Sequence, residues 1–173
     1  PKKKIKNKFI SVLGKKWNIR NCDQGKTTLE KILVNRGLNN MEESAQFHDP
    51  FLFSDMEKAV TRIKKAISGN EKILIFGDYD VDGITAAAIL IHALKGLNAN
   101  VTFKLPSRVE DGYGLSDKFI DQFIEEGIKL VITVDCGISC AGQIEKASQN
   151  GIDTIVTDHH TIPENLPKHA FAI

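Results

Sequence analysis

Four short apolar runs alternate with helical patterns along most of this chain, and that alternation constrains the fold more than any other feature. The runs are Lys72–Phe76, Val101–Leu105, Leu130–Val134 and Thr154–Val156. They lack the polar alternation of a strand with one wet face, so both faces are expected to be covered. Between them, Ile84–Leu97 is apolar on nearly all sides and reads as a buried helix. Ser116–Glu126 reads as a helix with Ser116 as N-cap, and Ala141–Asn150 as a helix with Gly151 in left-handed conformation at its end. The order β-α-β-α-β-α-β predicts an α/β fold, a parallel sheet with helices on both faces in three layers. Ala170–Ile173 reads as the start of another strand, so the domain is expected to continue beyond it.

The N-terminal part is different. Thr27-Thr28-Leu29-Glu30 has the form of a capping box, followed by Leu29, Ile32 and Leu33 on one face and Gly37 as a stop. Residues 39–53 read as irregular. Ser54-Asp55-Met56-Glu57 forms a second capping-box pattern, and Met56, Val60, Ile63 and Ile67 follow at helical spacing up to Gly69-Asn70. The expected division is a short, mostly helical extension over 1–53 and an α/β domain over 54–173, the latter apparently truncated.

Composition excludes little. Lys and Arg number 23 against 22 Asp and Glu, a net charge of +1. Five of the first eight residues are lysines (Lys2, Lys3, Lys4, Lys6, Lys8), which read as a solvated terminus before they read as a phosphate contact. No segment approaches the roughly 20 apolar residues of a membrane span. Three cysteines without a disulfide pattern point to a reducing cytoplasm. Cys136 and Cys140 read as packing residues, as does His92 in its apolar helix. His48 and His169 read as loop residues without partners, and Trp17 as an anchor for the extension.

The polar residues that matter sit where strands end. The first strand runs into Asp78, Asp80 and Asp82, the third into Asp135, and the fourth into Asp158, His159 and His160. In open parallel sheets, sites form beyond the carboxyl ends of the strands. Aspartates gathered there repel one another unless a cation joins them, and a mixture of aspartate and histidine suits Mn²⁺ or another divalent transition metal over Ca²⁺. If Asp80 and Asp82 lie in extended backbone they point the same way, and each could serve one of two adjacent metals with Asp135 bridging. Such a pair clamps a phosphoryl group and activates a water for in-line attack. The stretch Asp80-Val81-Asp82-Gly83 also resembles a haloacid-dehalogenase nucleophile motif. The strand ends too early for that, and Asp158-His159-His160 would be left without a role.

GDYDVDGITA, VITVDCGI and IVTDHH together resemble the first three motifs of the DHH phosphoesterase family. With LPSRVEDGYGL between them and SDMEKAVTRIKKAI upstream, the chain closely resembles the branch of that family that degrades single-stranded DNA. The resemblance covers residue 17 to the end. It implies 5′-to-3′ hydrolysis of single-stranded DNA with Mn²⁺ or Mg²⁺, in recombination and repair. It implies Asp80, Asp82, Asp135 and His159 as metal ligands, and His160 on the scissile phosphate. Asp158 would orient the histidine pair and Asp78 would support the metal loop. Arg108 would hold a DNA phosphate or shape its loop, and Tyr113 would stack on a base or do the same. A single-stranded-DNA-binding protein and a helicase are the partners the family implies.

Two departures from the family pattern stand out. Phe76 occupies a position where many members carry a histidine, and the family's fourth motif aspartate does not occur in these 173 residues. Two other readings therefore stay open: a phosphoesterase for oligoribonucleotides or cyclic dinucleotides, and an inactive piece of a split or decayed exonuclease gene.

Overall fold

The computed structural model describes residues 14–15, 27–36 and 47–172. By internal contacts the chain divides into residues 1–47 and 48–173. The N-terminal lysines, Trp17 and Gly37 lie outside the described residues. In the first unit, α1 (Thr28–Asn35) opens on the expected capping box. The Thr27 hydroxyl accepts from Glu30 N at 3.2 Å, and the Glu30 carboxylate accepts from Thr27 N at 2.7 Å. No α1 residue is buried.

The second unit is built on five parallel strands: β1 (Ile73–Gly77), β2 (Val101–Lys104), β3 (Leu130–Val134), β4 (Asp153–Thr157) and β5 (Ala170–Ala172). Their order across the sheet is β2-β1-β3-β4-β5. Successive strand residues alternate between two covered faces. Ile73, Ile75, Leu130, Ile132, Val134 and Ile155 pack under α2 (Met56–Ser68) and α3 (Val81–Gly96). Leu74, Phe76, Val131 and Val156 pack under α4 (Asp117–Glu125) and α5 (Ala141–Gln149). Crossovers of one hand explain the division: the chain turns from β1 one way to β2, then from β3 the other way to β4. Among the described residues no helix is long and apolar enough to cross a membrane.

Several local expectations change. The second capping box does not form: α2 starts at Met56 with Asp55 at the cap, and that carboxylate pairs with Lys58 at 2.7 Å. At the other end α2 stops where expected, with Gly69 as C-cap and Asn70 in left-handed conformation (φ 49°). Helix α3 begins three residues earlier than expected and is not buried all round. Only Gly83, Ala87 and Leu94 are buried, while Ile89 is 69% exposed and His92 is exposed too. A helix laid on a sheet has one stripe to bury, and composition does not say what meets the rest. His169, expected alone, pairs through Nε2 with Glu145 Oε2 at 2.9 Å.

Helix α2 is tied to the sheet by a buried arginine. Arg62 donates from Nε to Asp153 Oδ2 (2.5 Å), and from Nη2 to Glu71 Oε2 (2.6 Å) and Lys129 O (3.3 Å). Those acceptors stand at the amino ends of β4, β1 and β3. A lysine, with a single ammonium, cannot span them. Arg62→Lys is therefore expected to cost about 1–3 kcal/mol. Urea unfolding reads this as a lower midpoint with an unchanged slope; an unchanged midpoint would mean the clamp carries no net stability.

Candidate metal centre

The register brings the carboxyl ends of three strands level. Gly77 pairs with Val134, and Val134 with Thr157. The chain reverses its direction across the sheet between β1 and β3, so the loops that leave these strands part and open a crevice. Asp78 and Asp80 follow β1, Asp135 follows β3, and Asp158, His159 and His160 follow β4.

The β1–α3 junction is shaped by close backbone packing. Asp78 is buried; its N–H donates to Val134 O (3.3 Å) and its Oδ1 accepts from Tyr79 N (2.7 Å). Asp80 is the N-cap of α3, and its Oδ1 accepts from Asp82 N (3.0 Å) and Gly83 N (3.1 Å). The Gly83 N–H above all holds this carboxyl below its ordinary value, with lesser help from Asp135 and the Asp82 N–H. Gly83 lets the first turn of α3 rest on the preceding loop: a Cβ there would lie 2.4 Å from Asp78 N and O.

This junction corrects the expected alternation. Helix α3 starts at Val81, so Asp82 is not in extended backbone aligned with Asp80. Each helical residue turns by about 100°, which sends the two side chains in different directions. Oxygen atoms of Asp78, Asp80 and Asp135 lie within 4.8 Å of one another. Asp78, expected only to support the loop, is thus in that group. Asp82 lies in neither ligand group found among the described residues, although it lines the adjoining cavity.

The β3 and β4 ends supply the second group, Asp135, His159 and His160, again with ligand atoms within 4.8 Å. Asp135 belongs to both. It leaves the strand in left-handed conformation (φ 61°), a state aspartate tolerates better than most residues. Its N–H donates to Thr157 O at 2.9 Å, and its Oδ1 meets His159 Nε2 at 2.9 Å. Burial pushes the Asp135 carboxyl above its ordinary value; the bond to His159 opposes this and the charge of Asp80 adds to it. A buried carboxylate beside a second carboxylate is relieved by a proton or by a cation. Three carboxylates and two imidazoles form a donor set that fits divalent cations such as Mn²⁺.

Asp158 organises His160. Its side chain is almost wholly buried. Oδ2 accepts from Ile138 N at 3.0 Å, and Oδ1 accepts from His160 N (3.1 Å) and His160 Nδ1 (2.7 Å). Burial, the largest single influence, pushes this carboxyl up, but the Ile138 N–H and His160 outweigh it and leave it below its ordinary value. The hydrogen bond to Asp158 raises the His160 pKa in turn. With Nδ1–H committed to a carboxylate, Nε2 is the ring atom His160 has to offer.

The remaining expected residues surround this group. Tyr113 OH stands 3.3 Å from His160 Nδ1. The exposed Arg108 guanidinium lies 5.5 Å from the centroid of the Tyr79 ring. Phe76 points into the core, edge-on to Phe119 and Phe123, and ligates nothing. Cys136 and Cys140 are buried in the same core, as expected for packing residues. The pattern reading missed Phe53. It is 55% exposed and lines a cavity of about 420 Å³ together with Asp82, Ala86, Asp135 and His159. The only signal in its favour was an aromatic pair, Phe51 and Phe53, in a segment that forms no core.

Carboxylates and histidines at the switch point of a doubly wound parallel sheet define an α/β protein with a candidate two-cation centre. The family model described as "DHH family, N-terminal domain" matches residues 72–173, and the chain belongs to the DHH family. It is 37% identical over 171 residues to the single-stranded-DNA-specific exonuclease RecJ of Bacillus subtilis (strain 168), covering 88% of this chain and 22% of that relative. It is 37% identical over 144 residues to RecJ of Escherichia coli (strain K12), covering 80% of this chain and 25% of the relative. Among solved structures it is similar to exonuclease RecJ bound to manganese, with TM-score 0.65 and 34% identity over 69% of this chain and 31% of that one. It is also similar to RecJ from Thermus thermophilus in complex with Mn²⁺, with TM-score 0.65 and 28% identity over 81% of this chain and 20% of that one. The chain thus spans 22–25% of the length of these curated relatives.

Proposed function

We propose that this protein is a metal-dependent exonuclease that hydrolyses the phosphodiester bonds of single-stranded DNA from the 5′ end, with residues 54–173 forming the first part of its catalytic domain. The observation that carries the reading is that Asp135 belongs to two groups of ligand atoms at once. Asp78, Asp80 and Asp135 would hold one cation; Asp135 and His159, with His160 beside them, would hold the other. Asp82 completes the acidic rim of the cavity. Bound Mn²⁺ or Mg²⁺ would neutralise the phosphate and supply a water acidic enough to attack it near neutral pH.

The chain's own groups do the rest. Asp158 holds the His160 ring at Nδ1, which leaves Nε2 as the atom that would meet a phosphate oxygen. Arg108, steadied over Tyr79, offers a planar fork of N–H groups to a neighbouring phosphate. Phe53 gives the cavity an aromatic wall, the kind of surface on which single-stranded bases stack irrespective of sequence. A cytoplasmic location fits Cys136 and Cys140, free among the described residues, and a single-stranded-DNA-binding protein and a helicase are the partners in keeping with recombination and repair.

The names of the relatives favour DNA over short RNA or cyclic dinucleotides as substrate. Incubation with Mn²⁺ and, in parallel, long single-stranded DNA, its duplex and short RNA tests this. The expected outcome is nucleotide release from the single strand, starting at the 5′ end. Turnover of short RNA with DNA left intact would favour the oligoribonucleotide reading instead.

A further inference from the structure

We propose that Tyr113 is a positioning residue for His160, acting through the imidazole and not as a stacking platform for a base. The inference rests on the exonuclease reading for its kinetic consequences but not for its geometry. The two rings meet edge to face, with centroids 5.8 Å apart and planes at 74°, and the Tyr113 hydroxyl is 3.3 Å from Nδ1. Asp158 Oδ1 engages the same nitrogen at 2.7 Å.

One hydrogen bond at Nδ1 holds the ring at a point but leaves it free to pivot about that bond, because imidazole χ2 is a soft torsion. His160 is also substantially exposed, so the core does not pin it. Its neighbours do. The His159 ring lies 4.7 Å away, tilted by 46°, and Tyr113 supplies a further ring contact and a second polar partner for Nδ1. With Asp158, these contacts hold the ring and leave Nε2 as its uncommitted atom.

The loop that carries Tyr113 is built to hold still. Gly112 and Gly114 on either side adopt left-handed φ values of 77° and 78°. Asp111 Oδ2 accepts from Ser107 N at 2.9 Å, Ser107 O accepts from the N–H of Asp111 and Gly112, and Lys118 reaches Asp111 Oδ1 at 3.2 Å. Burial and the nearby carboxylates of Asp158, Asp78 and Asp135 push the Tyr113 phenol well above its ordinary pKa. The hydroxyl therefore remains a neutral partner for imidazole throughout the working range. A base stacked on Tyr113 would use its ring but not its oxygen, so the two roles separate at one atom.

Tyr113→Phe and Tyr113→Ala provide the test, with two readouts. In the metal-free protein, at a pH where the imidazole is neutral, the ring ¹⁵N resonances of His160 report how uniformly the ring is held. The parent is expected to show one sharp set, and both variants resonances shifted or broadened by a ring that pivots about its bond to Asp158. With Mn²⁺ and single-stranded DNA, Tyr113→Phe is expected to lower kcat roughly ten-fold with KM little changed, the scale typical of a residue that orients a site group. A parent-like ¹⁵N pattern in Tyr113→Phe would overturn the proposal. So would parent-like kinetics in Tyr113→Phe together with a raised KM in Tyr113→Ala, the signature of a base platform. If the parent cleaves no DNA, the exonuclease reading fails, and the ¹⁵N pattern alone decides the positioning role.

Discussion

Asp135→Asn is expected to abolish metal-dependent cleavage while raising the melting temperature of the metal-free protein at neutral pH. Both effects come from one buried carboxylate beside Asp80. Its pKa is raised by folding, first through burial. An acid with a raised folded pKa disfavours folding once ionised. Stability is therefore lost as pH climbs from the unfolded value, about 3.9, through the raised folded one. Asparagine removes that loss, tolerates the left-handed backbone and can still meet His159. The gain should vanish near pH 3 and be complete at pH 7, at about 2–4 °C for each kcal/mol in a chain of this size.

Mn²⁺ should reverse the ranking. A cation at one hundred times its dissociation constant adds about 2.7 kcal/mol to the parent and little to the variant. Thermal melts at the two pH values, with and without Mn²⁺, check this. An equal Mn²⁺ shift in both proteins would mean that Asp135 is not a shared ligand.

Gly83→Ala should be among the most damaging substitutions in the domain, although it adds a single methyl group to a helix. The added Cβ would stand 2.4 Å from Asp78 N and O, atoms of the backbone that no rotamer change can move. The first turn of α3 must lift. Asp80 then loses the Gly83 N–H that caps it, and Asp78 leaves its place beside Asp135. The expected cost is about 3 kcal/mol, a fall in Tm of roughly 6–12 °C, with a matching loss of Mn²⁺ affinity. Gly96, in the same helix with open space around it, is the control. Alanine there should stabilise by up to about 1 kcal/mol. Equal stability of the two variants would show that the close approach at Gly83 is not required.

How legible these features are in the sequence depends on their range. β1 and β3 are plain because buried parallel strands are apolar throughout, and Asp135 is plain because it follows one directly. The start of α3 is not. Asp80-Val81-Asp82 has the composition of a turn, and only the hydrogen bonds from Asp82 and Gly83 make Asp80 a cap. Misplacing that start by three residues is what made Asp80 and Asp82 read as an aligned pair in extended backbone. Contacts between distant positions leave no local pattern at all. Arg62 and Asp153 are 91 residues apart, Tyr113 and His160 are 47 apart, and Phe53 reaches the cavity from a segment with no periodicity. The outward face of α3 was misread for a related reason, since apolar composition does not show what covers a surface.

The most direct single experiment is digestion of 5′-end-labelled single-stranded DNA with Mn²⁺, by the parent protein and by Asp135→Asn side by side. The geometry predicts labelled mononucleotide from the parent, none from the variant, and none from either with a chelator in place of the metal. Label release that survives either the substitution or the chelator would contradict a two-cation centre built on Asp135.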